Sequence, residues 1–223
     1  MKYLLTLLLA AVFSSVAFSQ SQVKIGKQIW MSKNLDVSTF RNGDVIPEAK
    51  TIDELIKLSE TEQPAWCYYE FDENNGKKYG KLYNGYAVSD PRGLAPSGWH
   101  IPKDNEWDIL YSFIYQRIYF WVDIALKSKT AWIKYGNRTE YNTGNNKTGF
   151  SALPSGYCTV IGSDYQNWSS IGDMAKFWSS SKQHSYVGAR PELIIRELYG
   201  ESHGLNRTTE GMKSYLSVRC IKD

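Results

Sequence analysis

The chain has 223 residues, with 26 Lys and Arg against 23 Asp and Glu, and a formal net charge of +3. No block of Lys or Arg stands out, so nucleic acid is a poor partner, and no stretch after the first twenty residues is long and apolar enough to span a bilayer. The 8 Trp and 16 Tyr give many flat faces with a polar tip, a composition suited to a dense core and to sugar or protein surfaces.

Lys2, the apolar run from Tyr3 to Phe13 and the small residues Ser14, Ser15, Ala17 and Ser19 predict a signal peptide over 1–19, cut after Ser19. Residues 20–223 then form one exported domain, since no Pro/Ser-rich linker divides them. Val23 to Met31 reads as a β-hairpin turning at Gly26 and Lys27. Thr51 to Glu54 has the capping-box pattern and starts a helix that ends near Glu60. Ala65 to Phe71 is strand-like and is followed by turn chemistry from Asp72 to Gly76. A second helix is expected over Leu82 to Val88.

Trp99 to Pro102 is extended, because a proline biases its predecessor toward β. The helix after it carries Trp107, Leu110, Phe113 and Ile114 on one face, with Asp104 and Glu106 at its amino end, where the backbone dipole favours negative charge. Four later strands are expected, over Gly149 to Leu153, Phe177 to Ser181, Glu192 to Tyr199 and Tyr215 to Ile221. Long polar loops separate them. The whole is α+β, with early helices and late strands.

Few residues point to chemistry. His100, His184 and His203 lack the spacing of a metal site, so no metal or cofactor is expected. Asp72, Asn74 and Gly76 match the first half of a calcium loop, but the distal bidentate acid is missing and a hairpin turn explains them better. Glu106 reads as a helix cap rather than a general acid. Cys67, Cys158 and Cys220 would leave one thiol over if two paired. Tyr165 and Trp168, in the polar segment Ser163 to Ser169, are expected to be exposed rings that bind ligand.

Six blocks resemble the Fibrobacter succinogenes major paralogous domain and span the exported chain in order. They are Ile25 to Met31 with Lys33-Asn34-Leu35, Tyr79 to Asn84, Gly98 to Pro102 with Glu106-Trp107, Gly149 to Pro154, Phe177 to Ser180, and Ser217 to Cys220. The Gly-Trp-x-Ile-Pro-x-x-x-Glu-Trp block and the closing Val-Arg-Cys also resemble the C-type-lectin-like and formylglycine-generating-enzyme superfamily. That likeness implies a C-type-lectin-like fold of mixed, mostly antiparallel sheets with two or three flanking helices and long loops. It also implies that the strands of Cys67 and Cys220 are neighbours, which makes these two the expected disulfide and Cys158 the spare.

The departures bear on function. The Glu-Pro-Asn or Gln-Pro-Asp loop and the Trp-Asn-Asp segment of calcium-dependent lectins are missing, and Cys220 lacks the nearby second cysteine of the formylglycine-generating enzyme. The expected protein is a non-catalytic binding module, periplasmic, secreted or at the cell surface, with a carbohydrate or a cell-surface protein as ligand. The alternatives are a structural envelope protein without a soluble ligand and an enzyme on the same scaffold.

Overall fold

The hairpin expected over 23–31 forms, with β1 (Gln22–Ile25) antiparallel to β2 (Gln28–Met31) and Ile25 opposite Gln28. Gly26 takes the turn at φ 63°, and a Cβ there would meet the Phe113 ring at 2.7 Å, so both backbone freedom and close approach require glycine. This computed structural model describes residues 21–118, 121–133, 143–161, 165–183, 191–200 and 204–223. The predicted signal peptide, His184 and His203 lie outside the described residues.

Helix α1 (Ile52–Glu60) is capped as predicted, the Thr51 hydroxyl accepting the Glu54 amide at 3.2 Å. The reciprocal bond is displaced by one residue: Glu54 Oε2 accepts the Lys50 amide at 2.8 Å rather than that of Thr51. The strand expected over 65–71 is cut to β3 (Trp66–Cys67) and a 3-10 turn at Tyr69–Phe71. The turn expected from Asp72 is a helix, α2 (Glu73–Tyr79). Asp72 caps it by accepting the Asn74 amide at 2.8 Å, and Gly80 ends it at φ 80°. Gly76 is tolerated inside the helix because the Tyr68 ring lies 2.3 Å from where a Cβ would sit.

Leu82 to Val88, expected as one helix, splits into β4 (Leu82–Asn84) and α3 (Gly85–Ser89). The Asn84 side chain makes the break, accepting the Ala87 amide at 2.9 Å as a cap while donating to Gln63 O at 2.8 Å. Extended β5 (Trp99–His100) precedes α4 (Asp104–Ile118), which buries Trp107, Leu110 and Ile114 as its periodicity predicts. A short α5 (Val122–Leu126) follows. The stretch from Gly149 to Leu153 contributes only a parallel bridge between Ala152 and Lys127.

The remaining strands are β6 (Ser155–Ile161), β7 (Tyr165–Ile171), β8 (Met174–Lys182), β9 (Glu192–Tyr199), β10 (Asn206–Gly211), β11 (Tyr215–Leu216) and β12 (Ile221–Lys222). One sheet has the order β1-β2-β12-β5, so the first and last described strands share it, with Ile221 between Trp30 and His100. The other has the order β10-β9-β8-β6-β11-β4-β3, with β7 paired to β6. Pairing is antiparallel except where β6 runs parallel to β8 at Gly156 and Ala175. The chain is α+β with mixed, mostly antiparallel sheets. No helix among the described residues is long and apolar enough to cross a membrane.

The blocks that carry the family resemblance form the interior. Trp30, Trp107, Phe150 and Phe177 pack with ring centroids 4.8 to 6.0 Å apart, and each is fully buried. Burying one such side chain contributes about 1.5–3 kcal/mol. Arg219 sits among these rings, fully buried, its guanidinium 4.4 Å from Phe150 and 5.5 Å from Phe177. It donates to Met31 O at 3.0 Å, to Asn34 Oδ1 at 2.7 Å and to Phe150 O. Hydrophobic clusters on either side join early residues such as Met31 and Leu55 to late ones such as Val218 and Tyr215.

Candidate functional site

A cleft of about 550 Å³ opens where the loop after α3 passes β5 and the start of α4. The loop is shaped by its own charges. Asp90 accepts from Arg92 through Nε at 2.9 Å and Nη2 at 2.8 Å, and these bonds hold the Asp90 carboxyl below its ordinary range. Arg92 also stacks 4.1 Å over Phe40 and reaches Asp44 at 3.1 Å. Arg41 closes the loop against the strand, donating from Nε to Ala95 O at 3.1 Å and from Nη2 to Trp99 O at 2.8 Å.

The floor of the cleft is apolar, made by Val88, Leu94, Ala95 and Ile101, and all four are buried. The rim carries both donors and acceptors, Arg41 and Lys103 with Asp90 and Glu106. Glu106 caps α4, its Oε2 accepting the Lys103 amide at 2.8 Å as the sequence predicts. The same carboxylate faces His100 Nε2 at 3.0 and 3.1 Å. His100 Nδ1 faces Asp223 at 2.7 Å. Each imidazole nitrogen therefore has a carboxylate, and neither is turned to a hydroxyl or thiol among the described residues. Ser180, also on the rim, donates its hydroxyl to Ile101 O at 3.0 Å.

The predicted ligand pair is placed elsewhere. Tyr165 opens β7 opposite Ile161, and Trp168 stands opposite Cys158 in the same hairpin. The Trp168 ring is half-buried against Tyr69 at 5.1 Å and Phe71 at 5.2 Å.

The expected Cys67–Cys220 disulfide is not formed: Cys67, Cys158 and Cys220 are all buried free thiols. The strands expected to be neighbours belong to different sheets, since β3 pairs with β4 while Cys220 precedes β12 between β2 and β5. Burial pushes the thiols up, Cys158 and Cys220 to about 12. Among the described residues no group of three or more His, Cys, Asp or Glu side chains is placed to hold a metal ion.

His100 and Glu106 are visible in the sequence as neighbours of a proline-bounded strand. Arg41 and Asp90 carry no such signal, because tertiary folding alone brings them to the same rim. The family model described as the Fibrobacter succinogenes major domain matches residues 23–222. No curated protein and no solved structure matches the chain.

Proposed function

The chain belongs to the Fibrobacter succinogenes major domain family, and from that footing we propose that it is an extracytoplasmic, non-catalytic binding module. Residues 20–223 act as one C-type-lectin-like domain at the cell envelope, presenting the His100 cleft to a carbohydrate. The observation that carries this reading is a rim holding both donors and acceptors, Arg41 and Lys103 with Asp90 and Glu106, above an apolar floor. A sugar offers the complement, hydroxyls that both donate and accept around an apolar ring face. The volume lies in the range of small-ligand sites.

The same geometry favours binding over catalysis. A general base needs a nitrogen or oxygen free to take a proton from the reacting group, and both His100 nitrogens are engaged by carboxylates. The Ser180 hydroxyl is committed to a carbonyl rather than paired with a base.

The test is a glycan array on the protein exported and cleaved by its host, with calcium and with chelator. Lys103 is exposed and lines the cleft, so Lys103→Ala should cut the signal several-fold with an unchanged melting temperature. Signals absent in both conditions would defeat the carbohydrate reading. Signals that survive both Lys103→Ala and Glu106→Gln would move the site away from this cleft, with Tyr165 and Trp168 the next positions to vary.

A further inference from the structure

A second cleft, of about 380 Å³, lies on another side of the molecule, where the β1–β2 turn meets the end of α4 and the loop after α5. Its floor is Ile25, Ile114 and Ala125, all buried, and Phe113 and Ile118 wall it. Lys24, Arg117 and Lys147 are exposed on the rim, and no carboxylate lines it among the described residues. We infer that this cleft is a binding site for a small anionic amphiphile, a single acid head on an unbranched apolar tail.

The rim charges are placed by the fold. Arg117 lies 3.6 Å over the Phe113 ring and donates one N–H to Phe113 O at 3.0 Å. Its other guanidinium N–H groups have no partner among the described residues. Lys147 is carried by a loop fastened to α5, where the Thr148 hydroxyl donates to Ala125 O at 2.7 Å and Asn145 Oδ1 accepts the Lys147 amide at 2.9 Å. Lys24 projects from the hairpin whose turn rests on Phe113. Among the described residues none of the three is in an ion pair.

Each part of the ligand follows from these groups. Arg117 in the last turn of α4 answers the helix dipole, but that dipole amounts to only about half a negative charge, and three full positive charges surround it. The excess is positive and calls for an acid. The floor has no polar side chain to hold inorganic phosphate or a sugar, and it rewards an alkyl tail instead. A volume of about 380 Å³ suits a molecule of about ten carbons rather than an extended polymer.

The probes are decanoate, decyl phosphate, decanol and acetate, titrated calorimetrically into the protein below their aggregation concentrations. Decanoate or decyl phosphate should saturate one site, and their ratio tells whether a carboxylate or a phosphate head is preferred. Decanol and acetate should bind at least about tenfold more weakly, a difference of about 1.4 kcal/mol. Lys24→Glu with Lys147→Glu should weaken the acid probe by about tenfold or more, and added salt should weaken it in the parent protein. Both positions are exposed, so the melting temperature checks that the variant folds. Lys103→Ala should leave this affinity unchanged, which separates the site from the His100 cleft. Equal affinity for decanol, an unchanged affinity after charge reversal, or no saturation would each overturn the inference.

Discussion

Arg219 and Lys176 are both cations drawn out of water, and the molecule holds them in opposite ways. Arg219 lies between Phe150 and Phe177 with only carbonyl oxygens as acceptors, and desolvation pulls its pKa down to about 9. Lys176, on β8, lies 3.9 Å over the Tyr157 ring with Glu197 and Glu210 each at 3.1 Å. There desolvation opposes the charge, but the two carboxylates outweigh it and the pKa is raised. A fork-shaped guanidinium can be met by several neutral oxygens at once, as Met31 O, Phe150 O and Asn34 Oδ1 meet Arg219. An ammonium needs the counter-charges.

The largest effect expected is from Arg219→Met, which leaves Met31 O, Phe150 O and Asn34 Oδ1 without their donor. At about 1–3 kcal/mol for each buried group left unpaired, the loss is about 4 kcal/mol after the relief of one buried charge. Urea unfolding measures it. A smaller loss, about 3 kcal/mol, is expected from Lys176→Met, because Glu197 and Glu210 are left facing each other. The two variants should differ in their pH response. Acidification through the ordinary carboxylate range should recover part of the Lys176→Met loss and none of the Arg219→Met loss. Parallel pH profiles for the two would break the comparison.

The smallest effect expected is the alkaline slope of the parent protein. Burial holds Cys158 and Cys220 at about 12 against an ordinary 9.0, and it raises Tyr83 and Tyr215. The folded chain therefore keeps protons that the unfolded chain has released. Stability from these groups is complete below about pH 9 and falls as the pH rises toward 12. The raised pKa of Lys176 acts in the same direction. Arg219 acts in the opposite one, because desolvation lowers its folded pKa to about 9 and stability from it grows above that pH. The urea midpoint should fall above pH 9, and Arg219→Met should make that fall steeper.

Some of this architecture is written locally. The Gly26 turn, the Thr51 cap and the face of Trp107, Leu110 and Ile114 each need only a few neighbouring residues, and each forms as the sequence predicts. The strand Glu192–Tyr199 has the predicted bounds, its Leu193, Ile194, Ile195 and Tyr199 favouring extended backbone. Other segments depart from what their residues suggest. Asp72 to Gly76 carries turn residues yet forms a helix, because the Asp72 carboxylate caps it, and position 76 is glycine because the Tyr68 ring occupies the space a side chain would need. The β6–β7 pairing carries little sequence signal because β7 is polar at Gln166, Asn167, Ser169 and Ser170.

The same division applies to the sites. His100 and Glu106 are six positions apart, and a local reading sees both. Arg41 joins their rim only through carbonyls of Ala95 and Trp99, and Lys24 and Lys147 meet only because the hairpin turn rests on α4. The sequence by itself determined the α+β class, the family, the starts of α1 and α4 and which aromatic blocks form the interior, since caps and hydrophobic periodicity act over a turn or two. Tertiary structure alone decided that the three cysteines stay unpaired, the buried cation's acceptors and both clefts, because each depends on the closing of a loop between residues far apart in the chain, and no short-range preference encodes that closure.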